Sequence, residues 1–223
     1  MVPFHALLVE GIPGVGKSTL IDALVRRHVN SADTRKIRPL VHLCQAHTYG
    51  PLAPAEDAGI LTLNDNLRHL EHVVSTIEWL RGSVRNHARP SCFVLIDTLH
   101  LTHCLRPGVL TWPDAAAFDR RLAAAGCGLL LLRASAAVVR ERSIEARADW
   151  PFLREYAAKF GRTREELHGY FIHEQEQFTH MFRRSAMPKL LIENDGAVES
   201  ITDEAYEFWR EVPDVKARQF AWL

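Results

Sequence analysis

Gly11-Ile12-Pro13-Gly14-Val15-Gly16-Lys17-Ser18 satisfies the pattern G-x-x-x-x-G-K-[ST] at every fixed position. Each part of that pattern has a physical reason. Glycines let the backbone wrap closely round a phosphate chain with its amide N–H groups turned inward. A helix that opens near Lys17 adds free N–H groups and the positive end of its dipole. Lys17 has the reach for β- and γ-phosphates, and the Ser18 hydroxyl can ligate magnesium. The expected nucleotide-binding residues are therefore Gly11, Pro13, Gly14, Val15, Gly16, Lys17, Ser18 and Thr19, with ATP and Mg2+ as ligands.

The flanks agree with this reading. The apolar run Ala6-Leu7-Leu8-Val9 precedes the motif, and Leu20, Ile21, Leu24 and Val25 form one stripe of a helix over 17–29. Further out, short apolar runs alternate with longer amphipathic stretches. The runs are Pro39 to Leu43, Phe93 to Ile96, Leu129 to Leu132 and Lys189 to Ile192. They lack alternation, as strands buried on both faces do. Between them, 64–84 carries Leu67, Leu70, Val74, Ile77 and Leu80 at helical spacing, with Trp79 expected in the core. A helical region is expected over 134–147. Thr163 and Glu166 have capping-box spacing and predict a helix to about Arg184, and Ile201, Ala205, Phe208 and Val212 predict a last one. Segment 45–61, rich in Pro, Gly and Ala, reads as the longest irregular stretch, of a length that is often functional. The expected fold is α/β, a three-layer arrangement of a five-stranded parallel sheet flanked by helices, in one domain spanning 1–223.

Composition narrows the function classes. The chain has 223 residues, 27 basic and 27 acidic, so its formal net charge is zero. Broad nucleic-acid binding needs a basic excess, and no nucleic-acid partner is expected. No apolar run is long enough to span a bilayer, and Met1 to His5 lack a signal-peptide layout. No membrane partner is expected, and the chain reads as cytoplasmic. Cys44, Cys92, Cys104 and Cys127 have no C-x-x-C spacing and read as reduced thiols, and the 12 histidines form no metal-binding pattern.

Asp97 closes the run Phe93 to Ile96, where a P-loop protein places an acidic residue near magnesium. Ser18 and Asp97 are thus the expected metal residues. With these residues in view, Glu10 to Thr19 resembles the opening of thymidylate kinases and related nucleoside and nucleotide kinases. The resemblance extends loosely over most of the chain: a long helix precedes the strand ending at Asp97, an arginine-bearing segment follows Leu132, and the last strand ends at Glu193-Asn194-Asp195-Gly196. It implies a lid insertion at about 140–162 that closes over the phosphates, and a loop after the last strand that borders the adenine. Arg140, Arg142 and Arg147 are then the lid arginines, Arg142 and Arg147 the preferred catalytic pair beside Lys17 and Asp97, with Arg154 and Arg162 as substitutes. The resemblance also implies a homodimer through helix 64–84, although the same amphipathic stripe fits packing on the sheet.

Two departures bear on the acceptor. Thymidylate kinases carry Asp-Arg where this chain has Asp97-Thr98, and a charged signature where it has Gln45-Ala46-His47-Thr48-Tyr49-Gly50-Pro51. His47, Tyr49, Asn66, Arg68 and His72 are the residues expected around the acceptor. Glu174 and Glu176, on the helix after the lid, are expected either to pair with lid arginines or to lie exposed. Asp97 is expected to take the acceptor proton, with Glu10 and Asp57 as other carboxylates within the region. The implied activity is ATP-dependent phosphoryl transfer to a small molecule, a nucleoside or nucleoside monophosphate. The alternatives are an antibiotic- or metabolite-modifying kinase and a regulatory nucleotide-binding module. A GTPase switch is disfavoured, because the chain lacks an Asn-Lys-x-Asp segment and an Asp-x-x-Gly at Asp97.

Overall fold

The strands identified from their apolar runs assemble into one parallel sheet in the computed structural model, which describes residues 4–31, 39–85, 92–105, 110–147, 159 and 163–220. The strands are β1 (Phe4–Glu10), β2 (Leu40–Leu43), β3 (Cys92–Asp97), β4 (Cys127–Arg133) and β5 (Lys189–Glu193). Their order is β2-β3-β1-β4-β5. The three central strands are almost wholly buried, which is why they carry no alternation, whereas β2 and β5 lie at the edges and are partly exposed. Register aligns the strand ends: Val9 pairs with Asp97, Glu10 with Leu131, and Arg133 with Glu193. The carboxyl ends of β1, β3, β4 and β5 therefore meet along one edge, where open α/β sheets bind ligands.

Helix α1 (Lys17–Asn30) buries Leu20, Ile21 and Leu24, as its stripe requires. It packs on the last helix of the chain, Val198–Phe220, which also covers β1 and β4. Trp209 of that helix is fully buried and its indole Nε1 donates to His5 O at 2.9 Å. On the sheet's other side, α4 (Leu63–Arg85) packs against α6 (Trp112–Ala125), and α5 (His100–Leu105) packs against α6 and α8 (Arg164–Arg184). The Thr163–Glu166 capping box forms at the start of α8.

Four expectations need correction or completion. Segment 45–61 is not irregular: it holds α2 (Gln45–Thr48), a 3-10 turn (Gly50–Leu52) and α3 (Ala53–Asp57). Trp79 is 67% exposed, because the buried face of α4 runs through Leu70, Val73, Val74 and Ile77, two positions round the helix. The region 134–147 is α7 (Ala136–Val139) followed by a π-helical turn, Arg140–Glu145. Helices α5 and α6 add to the elements expected from periodicity. Alanines supply much of α6's buried face (Ala115 and Ala125 beside Phe118 and Leu122), so its apolar period is faint. Its sequence signal lies at the ends instead, in the Thr111–Asp114 capping box and the left-handed stop at Gly126. The last helix is α9 in this numbering.

The α9 helix docks on β4 through a gap with no spare volume. A Cβ at Gly128 would lie 2.6 Å from Val212 Cγ2 and 3.1 Å from Phe208 Cε1. Gly128→Ala is therefore expected to destabilise the chain by about 1–3 kcal/mol through overpacking. Urea unfolding at neutral pH measures it; an unchanged midpoint would show that α9 can shift away freely.

Candidate active site

The loop between β1 and α1 is gripped from outside. Ser143 of the π-helical turn donates from Oγ to Pro13 O at 2.8 Å, and Asn194 after β5 donates from Nδ2 to Val15 O at 2.8 Å. The Pro13 and Val15 carbonyls are thus held by donors outside the loop, which an anion cradle needs. Gly14 and Gly16 have φ of 86° and 100°, in the left-handed region that side chains disfavour. A Cβ on either would also strike Ser143 or Asn194. Lys17 reaches back over the loop, donating from Nζ to Gly11 O at 2.7 Å and Ile12 O at 3.0 Å. No side chain caps the first turn of α1 and no acidic residue stands in it, so its N-terminus suits an anion.

This loop forms one wall of a cavity of about 480 Å³. Gly11, Pro13, Gly14, Gly16, Lys17, Ser18 and Thr19 line it, and Gln45, Asp97, Thr98, Thr102, Arg147 and Phe178 complete it. Asp97 is 9% exposed, and its Oδ1 has no hydrogen-bond partner among the described residues. Burial raises its pKa, opposed by the charge of Lys17 and by His42. The Asp97 carbonyl accepts from both Thr48 Oγ1 and Thr98 Oγ1, each at 2.7 Å. Thr98 holds a φ of 55°, a left-handed conformation that a β-branched residue adopts only when its surroundings impose it. Strain of this kind concentrates at functional turns.

Behind the turn sits Glu10, fully buried. Its Oε1 accepts from Leu99 N at 2.9 Å and Leu101 N at 3.2 Å, and its Oε2 accepts from Thr102 Oγ1 at 2.6 Å. Burial raises the Glu10 pKa, while His100, these hydrogen bonds and Lys17 pull it down. Glu10 thereby joins the strand that feeds the phosphate loop to the turn that follows Asp97.

The expected arginines part company. Arg142 donates to Asn194 O and Gly196 O, both at 2.9 Å, and so braces the loop after β5 instead of lining the cavity. Arg140 pairs with Glu165 at 3.4 Å on the surface. Arg147 does line the cavity, where burial lowers its pKa. Arg154, Arg162 and most of the lid at 140–162 lie outside the described residues. Glu174 is buried and Glu176 is exposed, while Asp57 lies on the surface, 3.2 Å from Lys159.

None of the five residues expected around the acceptor lines the cavity. Arg68 and His72 are exposed on α4, and His47 is exposed with Nδ1 3.1 Å from Cys44 Sγ. Tyr49 is buried, bonded through its hydroxyl to Glu56, with its ring edge-on to His103 at 5.2 Å. Asn66 is buried beside His103. The residues that do face the cavity from this side are Gln45, Thr98, Thr102 and Phe178. Thr98 carried a signal, since it directly follows the strand-terminal Asp97; Thr102 and Phe178 carried none, being single residues within helices.

Asn66, Tyr49 and their neighbours instead build a buried brace under α2. His69 Nε2 and His103 Nε2 both lie 2.9 Å from Thr48 O, an acceptor only, so both rings carry their proton on Nε2. Burial pushes the His103 pKa down to about 3, which leaves its Nδ1 bare at neutral pH. The Asn66 amide, 2.9 Å away, must therefore turn its NH2 toward that nitrogen. The opposite orientation would leave Nδ2 buried with no partner among the described residues.

A five-stranded parallel sheet, a phosphate-type loop and an acidic residue at the end of the adjacent strand together make the three-layer α/β P-loop fold. Two solved structures share this fold. YorR from Bacillus subtilis, determined in complex with phosphorylated GDP, matches with a TM-score of 0.56 at 12% identity, over 92% of this chain and 96% of YorR. A gluconokinase from Sinorhizobium meliloti 1021 matches with a TM-score of 0.55 at 15% identity, over 96% of each chain. A thymidylate kinase from Ehrlichia chaffeensis superposes with a TM-score of 0.47 at 10% identity, over 92% of this chain and 98% of the enzyme. No family model and no curated protein sequence matches the chain. Among the described residues no helix is long and apolar enough to cross a membrane.

The brace gives a pH dependence. Unfolded, His103 titrates near its ordinary 6.5; folded, it stays neutral down to about 3. The unfolded chain thus binds the extra proton, and stability is full above 6.5 and falls as pH drops toward 3. Between pH 7 and 5 this one histidine removes about 2 kcal/mol. Denaturation of the wild type and of His103→Gln over that range checks it: the variant's profile should be flatter, and parallel profiles would contradict the assignment.

Proposed function

We propose that the chain is an ATP-dependent phosphotransferase that moves the γ-phosphoryl group to a small-molecule acceptor, the nucleoside or nucleoside monophosphate that its sequence resemblance implies. The observation that carries this reading is a single cavity shared by an uncapped phosphate loop and a buried Asp97 whose Oδ1 lacks a hydrogen-bond partner among the described residues. The loop suits a nucleoside triphosphate, because its glycine backbone leaves no room for side chains and its carbonyls are held away by Ser143 and Asn194. Oxygen ligands for magnesium are at hand in the Ser18 hydroxyl and, through water, the Asp97 carboxylate. When bound, magnesium neutralises charge on the phosphate oxygens and orients them.

Each protein group has a separate task. Lys17 and the loop amides hold the phosphates and meet the charge that spreads over the transferring group. Arg147, which among the described arginines of the expected lid lines the cavity, adds a second cation there. Asp97, its pKa raised by burial, is a better base than an exposed carboxylate and is placed to receive the acceptor's proton. Phe178 contributes an apolar wall that helps exclude water. The two better-matching neighbours are a protein solved with a guanine nucleotide and a gluconokinase, so shared fold leaves the acceptor to be argued from this cavity.

Incubation with magnesium and ATP plus pools of nucleosides, nucleoside monophosphates, sugars and hydroxylated antibiotics, read as acceptor-dependent ADP release, tests the proposal. Stimulation by one pool is expected; tight ATP binding with no stimulation by any pool would point to a regulatory nucleotide-binding module. With an active pool in hand, Lys17→Ala should lower turnover on the order of a thousandfold and Asp97→Asn by roughly 10²–10⁴-fold. Both variants should keep the wild-type circular dichroism spectrum, and near-normal turnover by Lys17→Ala would sink the assignment.

A further inference from the structure

The cavity has two halves of opposite hydrogen-bonding sense, and the difference can be counted proton by proton. The phosphate loop, Lys17 and Arg147 present donors. The turn after β3 presents acceptors. The Thr98 hydroxyl gives its proton to the Asp97 carbonyl at 2.7 Å, a group that can only accept, so its lone pairs are what it has left to offer. The Thr102 hydroxyl gives its proton to Glu10 Oε2 at 2.6 Å. Glu10 receives it as a carboxylate, whose other oxygen takes two backbone N–H groups. Asp97, more than nine-tenths buried, adds a carboxylate oxygen with no partner among the described residues. All three residues line the same cavity.

A group bound against this turn must therefore donate hydrogen bonds. A phosphate group cannot: its oxygens are acceptors and carry charge, so facing Asp97, Thr98 and Thr102 it would meet like charge and lone pairs. An uncharged polyol supplies what is missing, one hydroxyl to Asp97 and a neighbouring one to a threonine oxygen. Resting on the phosphotransferase reading, we propose that the acceptor subsite is the Asp97–Thr98–Thr102 turn, that it selects an unphosphorylated, hydroxyl-rich acceptor over a phosphate monoester, and that Glu10 sets this preference by holding the Thr102 proton. Glu10 acts through Thr102 and is a positioning residue. In the transfer, the acceptor hydroxyl loses its proton to Asp97 as its oxygen bonds the γ-phosphorus, the bond from that phosphorus to the bridging oxygen breaks, and ADP leaves with that electron pair.

Two matched pools decide the matter, one of nucleosides, sugars and sugar alcohols, the other of their monophosphates, with ATP-analogue binding measured separately by calorimetry. The unphosphorylated pool should stimulate ADP release and the phosphorylated pool should not. In Glu10→Gln the amide NH2 donates to Thr102 and pushes its proton into the cavity. The KM of the active acceptor should then rise roughly 10- to 100-fold while ATP-analogue affinity stays within about twofold. Thr102→Val should show the same split and Thr102→Ser should restore the wild-type KM, so the test survives a Glu10→Gln variant that fails to fold. Stimulation by the monophosphate pool alone, or an acceptor KM unmoved in both variants, would overturn the inference and leave phosphoryl transfer standing. ADP release that neither pool stimulates, with the ATP analogue bound, would remove phosphoryl transfer itself and this inference with it.

Discussion

Everything at the site depends on how tightly three distant segments close on the loop between β1 and α1. The Leu132 carbonyl of β4 lies where a Cβ of Gly11 would be, Ser143 where one of Gly14 would be, and Asn194 where one of Gly16 would be. The constraint is steric before it is chemical. Protein interiors pack at near-crystalline density, so a methyl group at any of these places must displace backbone or a hydrogen-bonded side chain. The loop's shape is thus set by the ends of β4 and β5 and by the turn between α7 and the lid region. A phosphate cradle is rigid here because its walls are strand ends of one sheet, held in register by β1 pairing with β4 and β4 with β5.

The π-helical turn Arg140–Glu145 shows how sparingly this is done. Two consecutive residues serve two loops: Arg142 braces the segment after β5 through the carbonyls of Asn194 and Gly196, and Ser143 holds Pro13 of the phosphate loop. Widened turns of this kind are rare in helices and recur at functional sites, where a side chain must be re-aimed. Arg142 therefore couples indirectly to the cradle, since Asn194, whose carbonyl it binds, also donates to Val15. Its contribution is to the shape of the donor side, which differs from the direct electrostatic role its position in sequence implied.

Strand runs, the phosphate loop, the end of β3 at Asp97 and the start of α8 were legible in the sequence because each is a local signal. Hydrophobic runs, glycine spacing and capping boxes declare themselves within a few residues. What stayed hidden is what depends on distance through space. Asn66 and Tyr49 looked like ligand-binding residues because they are polar or aromatic and near the right strands, yet both are engaged in bracing α2 beneath Asp97. Thr102 and Phe178 do line the cavity, but nothing in their own neighbourhood distinguishes them from helix residues packed in a core. Trp79 was misplaced for a related reason: a long helix with two partly apolar faces does not reveal by periodicity alone which face meets the sheet. Local physics announces the donor side of the site, whereas the acceptor side is assembled by tertiary packing and has no motif of its own.

That division reflects what the two sides must do. Every phosphoryl donor of this kind presents the same polyanion, so a fixed array of backbone N–H groups and one lysine suits them all and can be written as a short pattern. Acceptors differ in shape and hydrogen-bonding sense, and recognising one means placing individual lone pairs and protons at chosen points. In the proposed reading that placement begins behind the wall, at a carboxylate without access to the cavity. Glu10 stands one residue before the phosphate loop and holds the turn after Asp97, so a single buried side chain ties the geometry of the donor side to the polarity of the other. Burial disfavours its charge and raises its pKa, against the opposing pull of His100, the Thr102 hydroxyl, backbone N–H groups and Lys17. On the proposed reading, the buried carboxylate at this position also fixes the sense of the hydroxyl in front of it.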